Sequence, residues 1–465
     1  MVLLIVLSNA ITFAATGASY RRNAVPLPEV PSTNEKVTTE ELKSFVEVLT
    51  ILSERYLKDV TREELINAAI KGMVESLDDP QTSFLEPSDW QEMMVKIDGS
   101  FSGIGVEINS VNDYITIVSP IKDTPGERAG LLAGDRIIAV DGKDIVGITT
   151  TEAVKLMRGV EGTKVTLLVE RTGVAENLTF EITRGNIVVP SVISEMKANK
   201  IGYIQITTFD DHVGKDVQEA LLVLETQGMR GLIIDLRDNP GGLLSEAVKI
   251  GQELLPAGPI TRVVDGEGKV MQTYQSYGKK KEYPMVLLVN GGSASASEII
   301  AGAFQDTASG TLIGTKTYGK ATVQHLEGLT NSAGLRYTVA KYQTPNGRDI
   351  HGVGLEPDIL VELPKEFFMI QHRIVSELKP GDEGTSVLFL QNMLMALKYN
   401  VTETSTYDEA TKLAVSSFQT KNGLPVTGVL DQATRTTLAT LLDAEIIRLD
   451  TQMQKATEQI MQQLQ

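Results

Sequence analysis

The spacing of apolar positions changes character several times along the chain, and each change marks a different kind of element. Residues 2–16 (VLLIVLSNAITFAAT) are nearly continuous in apolar side chains, interrupted at Ser8 and Asn9 and followed by Gly17, Ala18 and Ser19. A run of this form resembles an export signal, so residues 1–18 are read as a signal peptide or a membrane anchor. Pro26, Pro28 and Pro31 then predict an extended linker over 19–36. Leu42, Phe45, Val46, Leu49 and Leu52 recur at helical period, and Thr38 with Glu41 and Thr61 with Glu64 have capping-box spacing. Two helices are predicted over about 38–57 and 61–77, within an N-terminal helical region 37–94. Pro80 and Pro87 punctuate residues 78–92, so the helical pair is expected to end there; that segment, with the lone Trp90, implies no chemistry.

From 95 to 187 the pattern shifts to short β-like runs (Tyr114–Val118, Arg136–Val140, Lys164–Glu170), a Gly-rich loop at 102–105 and one amphipathic helix near 151–158. From 188 to 365 strands alternate with helices: IGYIQI (201–206), a helix near 213–227, GLIIDL (231–236), a helix near 243–254, and MVLLVN (285–290) before another helix. That alternation implies an α/β core. Three helix-like pieces between Gly/Pro turns occupy 374–442. The tail 443–465 is Gln-rich and helical, with Ile446, Leu449, Met453, Ala456, Ile460 and Leu464 forming an apolar stripe. Such a stripe predicts a packing helix or a homodimer helix.

A length of 465 residues fits about three domains. With 43 Lys+Arg against 60 Asp+Glu the net charge is −17, so no overall basic field exists to condense onto nucleic acid. Cysteine is absent, which excludes disulfide frameworks, thiol nucleophiles and thiolate metal sites.

The segment richest in chemistry is 285–300, MVLLVNGGSASASEII: a buried strand, a Gly-Gly turn, alternating Ser and Ala, then a helix opening at Glu298. It sets a hydroxyl at a helix N-terminus, where backbone N–H groups can stabilise an oxyanion. Ser293, Ser295 and Ser297 are all candidates, and helix capping is the alternative role. A serine nucleophile needs a base. His325 and His351 lie downstream without a local acid that sequence ties to a triad. Lys320, in YGKATVQ, follows the apolar strand TLIG (311–314) and can serve if desolvation lowers its pKa. Gly314 to Lys320 also matches the first seven positions of a phosphate-binding loop, but Ala321 stands where that loop needs Ser or Thr, and a β-like run follows where it needs a helix.

Taken in order, SLDDPQTSFL (76–85), FSGIGVEI (101–108), TPGERAGLLAGDRIIAVDG (124–142), GYIQITTF (202–209), LIIDLRDNPGGLL (232–244), VNGGSASASEI (289–299), YGKATVQ (318–324) and TPNGRDIHGVGLEPDI (344–359) resemble the carboxyl-terminal processing proteases. These are tail-specific serine peptidases with a Ser-Lys dyad and an inserted PDZ domain. The C-terminal segments 378–394 and 407–438 resemble peptidoglycan-binding domains. The resemblance implies a multidomain α/β protein: a crotonase/Clp-like protease core (188–365) with N-terminal helices, an inserted β-rich PDZ domain (95–187), and a C-terminal three-helix peptidoglycan-binding domain (374–442). It carries the nucleophile to Ser295, the base to Lys320, and support of the lysine to Gln324. The oxyanion donors become the backbone N–H of Ala296 and of Gly241 or Gly242. For Lys320 to work at neutral pH its pKa must fall by about 3 from the ordinary value near 10.4.

In the PDZ module the resemblance places the carboxylate-binding loop at Ser102, Gly103, Ile104, Gly105 and Val106, where a peptide would add a strand to the sheet edge. Arg158 is either a contact near the peptide groove or a solvated helix-end charge. The implied function is an exported, extracytoplasmic serine endopeptidase that takes protein substrates by their C-termini, rests on peptidoglycan in the cell envelope and needs no cofactor or metal. The rival is a catalytically inactive scaffold using only its PDZ and wall-binding surfaces, against which the intact Ser295, Lys320 and Gln324 argue.

Overall fold

The computed structural model describes residue 38 and residues 40–465 except 112 and 375. The expected signal or anchor (1–18) and linker (19–36) lie outside the described residues. Two compact units are present. The first comprises the chain through Gly99, Pro190–Leu360 and Ala456–Gln465; the second comprises Ser100–Val189 and Val361–Lys455.

At the centre of the first unit is a six-stranded sheet in the order Val192–Lys197, Ile201–Ile206, Gly231–Asp235, Met285–Val289, Thr311–Gly314, Ile359–Leu360. The first pair is antiparallel and the rest are parallel. Gly231–Asp235 and Met285–Val289 are buried along their whole length. Continuous apolar runs of this kind suit central parallel strands covered on both faces. Helices Val213–Thr226, Leu244–Leu254 and Ala296–Asp306 contribute their apolar residues to the same core. A second, antiparallel sheet is built on the long strand Gly334–Gln343, which pairs with Thr322–Gly328, Gly258–Val264 and the short strand Ser83–Leu85. Burial of whole side chains such as Phe304, Leu287 and Ile234 supplies most of the stabilisation, at roughly 1.5–3 kcal/mol each.

The structure adds to the sequence reading at two places here. The helical pair ends at Glu75, ahead of Pro80 as expected, and a third helix, Pro87–Asp98, follows with Pro87 in its first turn, where its missing N–H has no helical acceptor to lose. The tail forms a helix, Thr451–Gln463, after a break at Asp450. Its stripe is used within the chain: Ala456 and Ile460 are fully buried, and a Cβ on Gly231 would lie 2.4 Å from Ile460 Cγ2. Those two residues of the stripe lie within the first unit, Ile460 against Gly231, as the packing alternative expected. The capping box at Thr61 is formed, with Glu64 Oε2 accepting from the Thr61 N–H, while helix Lys43–Arg55 buries none of its residues. No helix among the described residues is long and apolar enough to cross a membrane.

In the second unit, Val106–Val111, Tyr114–Pro120, Arg136–Val140, Lys164–Glu170 and Leu178–Thr183 form an antiparallel sheet in chain order, with Lys143–Asp144 added to Arg136–Val140. Helix Thr150–Met157 opens on a Thr149–Glu152 capping box. Strands Ser100–Gly103 and Gly185–Val188 pair where the chain enters and leaves this module. The C-terminal module holds helices Thr385–Ala396, Glu409–Lys421 and Gln432–Leu449. Two buried glutamines repeat one device there. Gln391 Nε2 donates to Thr404 Oγ1, Thr406 O and Thr411 Oγ1, and its Oε1 accepts from the Thr404 and Ser405 N–H groups. Gln419 makes the same set to Thr427, Val429 and Thr434, with the Thr427 and Gly428 N–H groups on its Oε1. Asp408 and Asp431 cap the helix after each loop.

Candidate active site

Strand Met285–Val289 delivers the chain into the turn Asn290–Ala294, which is fixed by side-chain bonds to its own backbone and to the Asp238 N–H. Asn290 Oδ1 accepts from the Asp238 and Gly292 N–H groups, and the Asn290 N–H donates to Ser293 Oγ. Helix Ala296–Asp306 starts immediately beyond. Ser295, between the two, has φ 55° and ψ −114°, a strained conformation for a residue with a Cβ. The three candidate serines separate by what their hydroxyls do. Ser293 Oγ donates to Leu236 O at 2.7 Å and Ser297 Oγ to Asn239 O at 3.0 Å, both side chains fully buried. Those two brace the neighbouring loop. Ser295 instead lines a cavity of about 360 Å³, together with Lys320, Gln324, Ala296, Gly241 and Gly242.

The loop Leu236–Leu243 reaches this cavity from the end of Gly231–Asp235. Its base is held by Asp235, which accepts from Tyr203 Oη at 3.0 Å and pairs with Arg237 at 2.6 Å. Asn239 Nδ2 donates to Ile206 O, and Asn239 Oδ1 accepts from the Gly241 N–H at 2.8 Å. Phe209 then clamps the glycines: its N–H donates to Gly241 O, and its carbonyl accepts from the Leu243 N–H. At Gly241 (φ 96°) a Cβ would lie 2.7 Å from Ala294 O and 2.8 Å from Ala296 N; at Gly242 (φ 148°) one would lie 2.3 Å from Phe209 O. Only glycine lets this backbone approach the serine so closely. Among the described residues, the N–H groups of Gly242 and Ala296 have no acceptor, whereas that of Gly241 is engaged by Asn239.

Lys320 sits between strands Thr311–Gly314 and Thr322–Gly328. Burial is the main reason its amine falls below the ordinary lysine range; the Arg336 charge lowers it further and Asp79 works in the opposite sense. No hydrogen bond joins Ser295 Oγ to Lys320 Nζ among the described residues, and such contacts commonly tighten only when substrate is bound. Gln324 lines the cavity too, with its Nε2 donating to Thr322 Oγ1 at 2.8 Å. The histidines are elsewhere: His351 Nδ1 accepts from the Ala321 N–H at 3.4 Å, His325 lies 3.3 Å from Glu327, and neither lines the cavity.

Two residues at this site have roles that sequence reasoning did not supply. Glu298, fully buried, is the point where the serine and lysine segments are tied together. Its Oε1 accepts from Thr317 Oγ1 (2.6 Å) and the Gly319 N–H (2.8 Å), and its Oε2 accepts from the Lys320 N–H (2.9 Å) and the Ser295 N–H (3.0 Å). The Ser295-x-x-Glu298 spacing is itself a capping-box pattern, so a local signal was present. Tyr342 Oη lies 2.9 Å from Ser295 O and 2.8 Å from Lys320 O, sharing its proton between them; burial raises its phenol well above the ordinary range.

In the β-rich module a smaller cavity, about 70 Å³, is lined by Phe101, Gly103, Ile104, Gly105, Val106 and Arg158 among others. The Ile104 carbonyl accepts from the Gly126 N–H and the Gly105 carbonyl from the Ile121 N–H, which fixes the loop. The Arg158 guanidinium lies over the Phe101 ring, 4.5 Å from its centroid. Beside this cavity Val106–Val111 is an end strand of its sheet. Ser102 is not in the lining; it pairs with Asn186 in the entry strand.

The modules have counterparts of known family. Residues 200–361 match peptidase family S41, 116–171 match a PDZ domain, 383–438 a peptidoglycan binding domain, and 5–88 the activating protease CtpB N-terminal domain. Carboxy-terminal processing protease CtpA of Bacillus subtilis (strain 168) is 39% identical over 412 residues, covering 88% of this chain and 88% of its own length. The chain belongs to the carboxy-terminal processing proteases. CtpB of the same organism is 34% identical over 393 residues, covering 83% of this chain and 82% of its own. Among solved structures, the photosystem II D1 C-terminal processing protease is 29% identical, covering 70% of this chain and 95% of that one, with a TM-score of 0.42. This carboxy-terminal processing protease is thus a serine peptidase of family S41 carrying PDZ and peptidoglycan-binding domains on a multidomain α/β fold, and an active enzyme is favoured over an idle scaffold.

Proposed function

We propose that the chain is an exported endopeptidase of the cell envelope, that it captures protein C-termini on its PDZ module, and that it cleaves them with Ser295 as nucleophile and Lys320 as general base. One observation carries this reading: of three neighbouring serines, only Ser295 lines this cavity, and the same cavity holds a desolvated lysine and, among the described residues, two backbone N–H groups without acceptors. The neutral Lys320 amine takes the Ser295 Oγ proton as the oxygen attacks the scissile carbonyl carbon. The Ala296 and Gly242 N–H groups receive the oxyanion, with Gly241 supplying the close approach rather than a donor. Lys320 then returns the proton to the departing amine as the C–N bond breaks, leaving an ester on Ser295. A water loses a proton to Lys320, attacks that ester, and the proton passes back to Ser295 Oγ as the acid product leaves. Gln324 shapes the wall beside the lysine.

On the PDZ module, the end strand Val106–Val111 offers a pairing edge, and the Gly103–Val106 loop with Arg158 offers an anion site beside it. The peptidoglycan-binding module supports residence at the cell wall. Wild type, Ser295→Ala and Lys320→Ala are to be incubated with unfolded proteins ending in apolar or charged tails. Loss of cleavage in both variants with unchanged melting is expected, together with a tail preference in wild type. Turnover retained in either variant refutes the dyad, and an inert wild type with intact tail binding favours the scaffold.

A further inference from the structure

The segment ahead of the protease domain, which sequence reading left without chemistry, reaches the active-site cavity. Ser83, Phe84 and Leu85 pair in antiparallel register with Arg336, Leu335 and Gly334. Trp90 packs on the same hairpin, where a Cβ on Gly334 would lie 1.9 Å from its Cε3. Arg336 Nε donates to Gln81 O at 3.0 Å, and the Thr338 N–H donates to Thr82 Oγ1 at 3.1 Å. Asp79 accepts from Thr338 Oγ1 and Thr82 Oγ1, each at 2.6 Å, and from the Gln81 N–H at 2.9 Å. Burial opposes ionisation of Asp79, but these bonds and the Arg336 charge outweigh it and keep the carboxyl below its ordinary range. Arg336 lines the same cavity as Lys320.

We propose, resting on Lys320 as the general base, that Arg336 and Asp79 are positioning residues for that base: pairing of Ser83–Leu85 with Gly334–Gln343 fixes a cation in the wall of the cavity that holds Lys320 and an anion on Thr338, the register partner of the cavity residue Gln324, and their balance sets the acid limb of activity. The other charged or titratable groups around Lys320 do different work. Glu298 is bound to backbone N–H groups and Thr317, and Tyr342 to the Ser295 and Lys320 carbonyls. His351 accepts from the Ala321 N–H, and Lys96 lines the cavity from helix Pro87–Asp98. A fixed guanidinium makes an ammonium nearby less favourable, and a carboxylate makes it more favourable, so removing each must move the limb in opposite directions.

The test is kcat/KM against pH for the full chain on an unfolded protein substrate, with Lys320→Ala as control. Arg336→Gln is expected to move the limb up by about half to one pH unit, a rate about 3- to 10-fold lower below the limb and recovered on the alkaline plateau. Asp79→Asn is expected to move it down by a similar amount, and Arg336→Lys to keep the wild-type position. A structural role alone would lower the plateau without opposed displacements. Limbs that stay put, or that move in the same direction, overturn the proposal. Should Asp79→Asn fail to fold, Arg336→Gln and Arg336→Met decide it, since both must raise the limb. If Lys320→Ala stays active, the base assignment itself falls; if it is dead while the limbs do not move, only the roles of Arg336 and Asp79 fall.

Discussion

Glu298→Gln removes a charge and one acceptor atom while keeping the shape of a fully buried side chain. In the native site two carboxylate oxygens receive four donors: Thr317 Oγ1, and the N–H groups of Gly319, Lys320 and Ser295. A glutamine can place its oxygen on only one side. With that oxygen toward Ser295 and Lys320, its amide N–H₂ faces the Gly319 N–H and Thr317 Oγ1. Thr317 can accept instead of donate, since its second lone pair is open beyond the bond it already takes from the Leu355 N–H at 2.7 Å. One backbone N–H is still orphaned, at about 1–3 kcal/mol, and the surviving bonds lose their charge assistance. The expected loss of stability is about 2–4 kcal/mol. Because the same carboxylate sets the backbone of Ser295 against that of Lys320, kcat is expected to fall about 10²-fold, the scale of a misplacement near 1 Å, with KM changed only a few-fold. Urea unfolding and steady-state kinetics on one preparation measure both effects. Stability within about 0.5 kcal/mol of wild type together with an unchanged kcat would refute the claim that Glu298 joins the two segments.

Three further outcomes follow from the geometry. Lys320→Met is expected to stabilise the protein at neutral pH by about 1 kcal/mol, a Tm rise of about 2–4 °C, while abolishing activity. The lysine's folded pKa lies below its unfolded value, so the unfolded chain binds more protons between the two; wild-type stability therefore rises with pH through that window, and the advantage of the variant must shrink toward pH ~10.4. Gly241→Ala forces a Cβ against Ala294 O and Ala296 N at φ 96°. A loss of about 1–3 kcal/mol in melting experiments, and a kcat lower by about 10²–10³-fold, are expected. Arg158→Ala should weaken binding of a peptide with a free C-terminus about tenfold, roughly one charge-assisted hydrogen bond, and leave its amide-capped form unaffected; equal weakening of both, read by fluorescence anisotropy, speaks against a carboxylate contact.

Features decided within one turn or one strand were legible in the chain. The capping box at Thr61 and the buried run Met285–Val289 depend on neighbours a few residues away, and their elements form close to the expected bounds. What eluded sequence reasoning depends on partners far along the chain. Three residues at Ser83–Leu85 are too few to show a period, and their partner is Gly334–Gln343. The spacing of Glu298 from Ser295 is readable as a cap, but its bonds to Thr317 and Gly319 exist only once two loops meet. The apolar stripe of the tail was visible at Ala456 and Ile460, yet nothing in its periodicity distinguishes a second copy from Gly231 as the surface it covers.

The packing of Ile460 over Gly231 has a temporal consequence. Gly231 opens a central strand, while Ser83–Leu85 edges the sheet that carries Gln324, so the catalytic unit draws on both ends of the described chain. During synthesis the serine and lysine leave the ribosome well before the helix that covers Gly231, and contacts this distant in sequence form late. Until Ile460 has been made, that face of Gly231 lacks the cover it has in the finished fold.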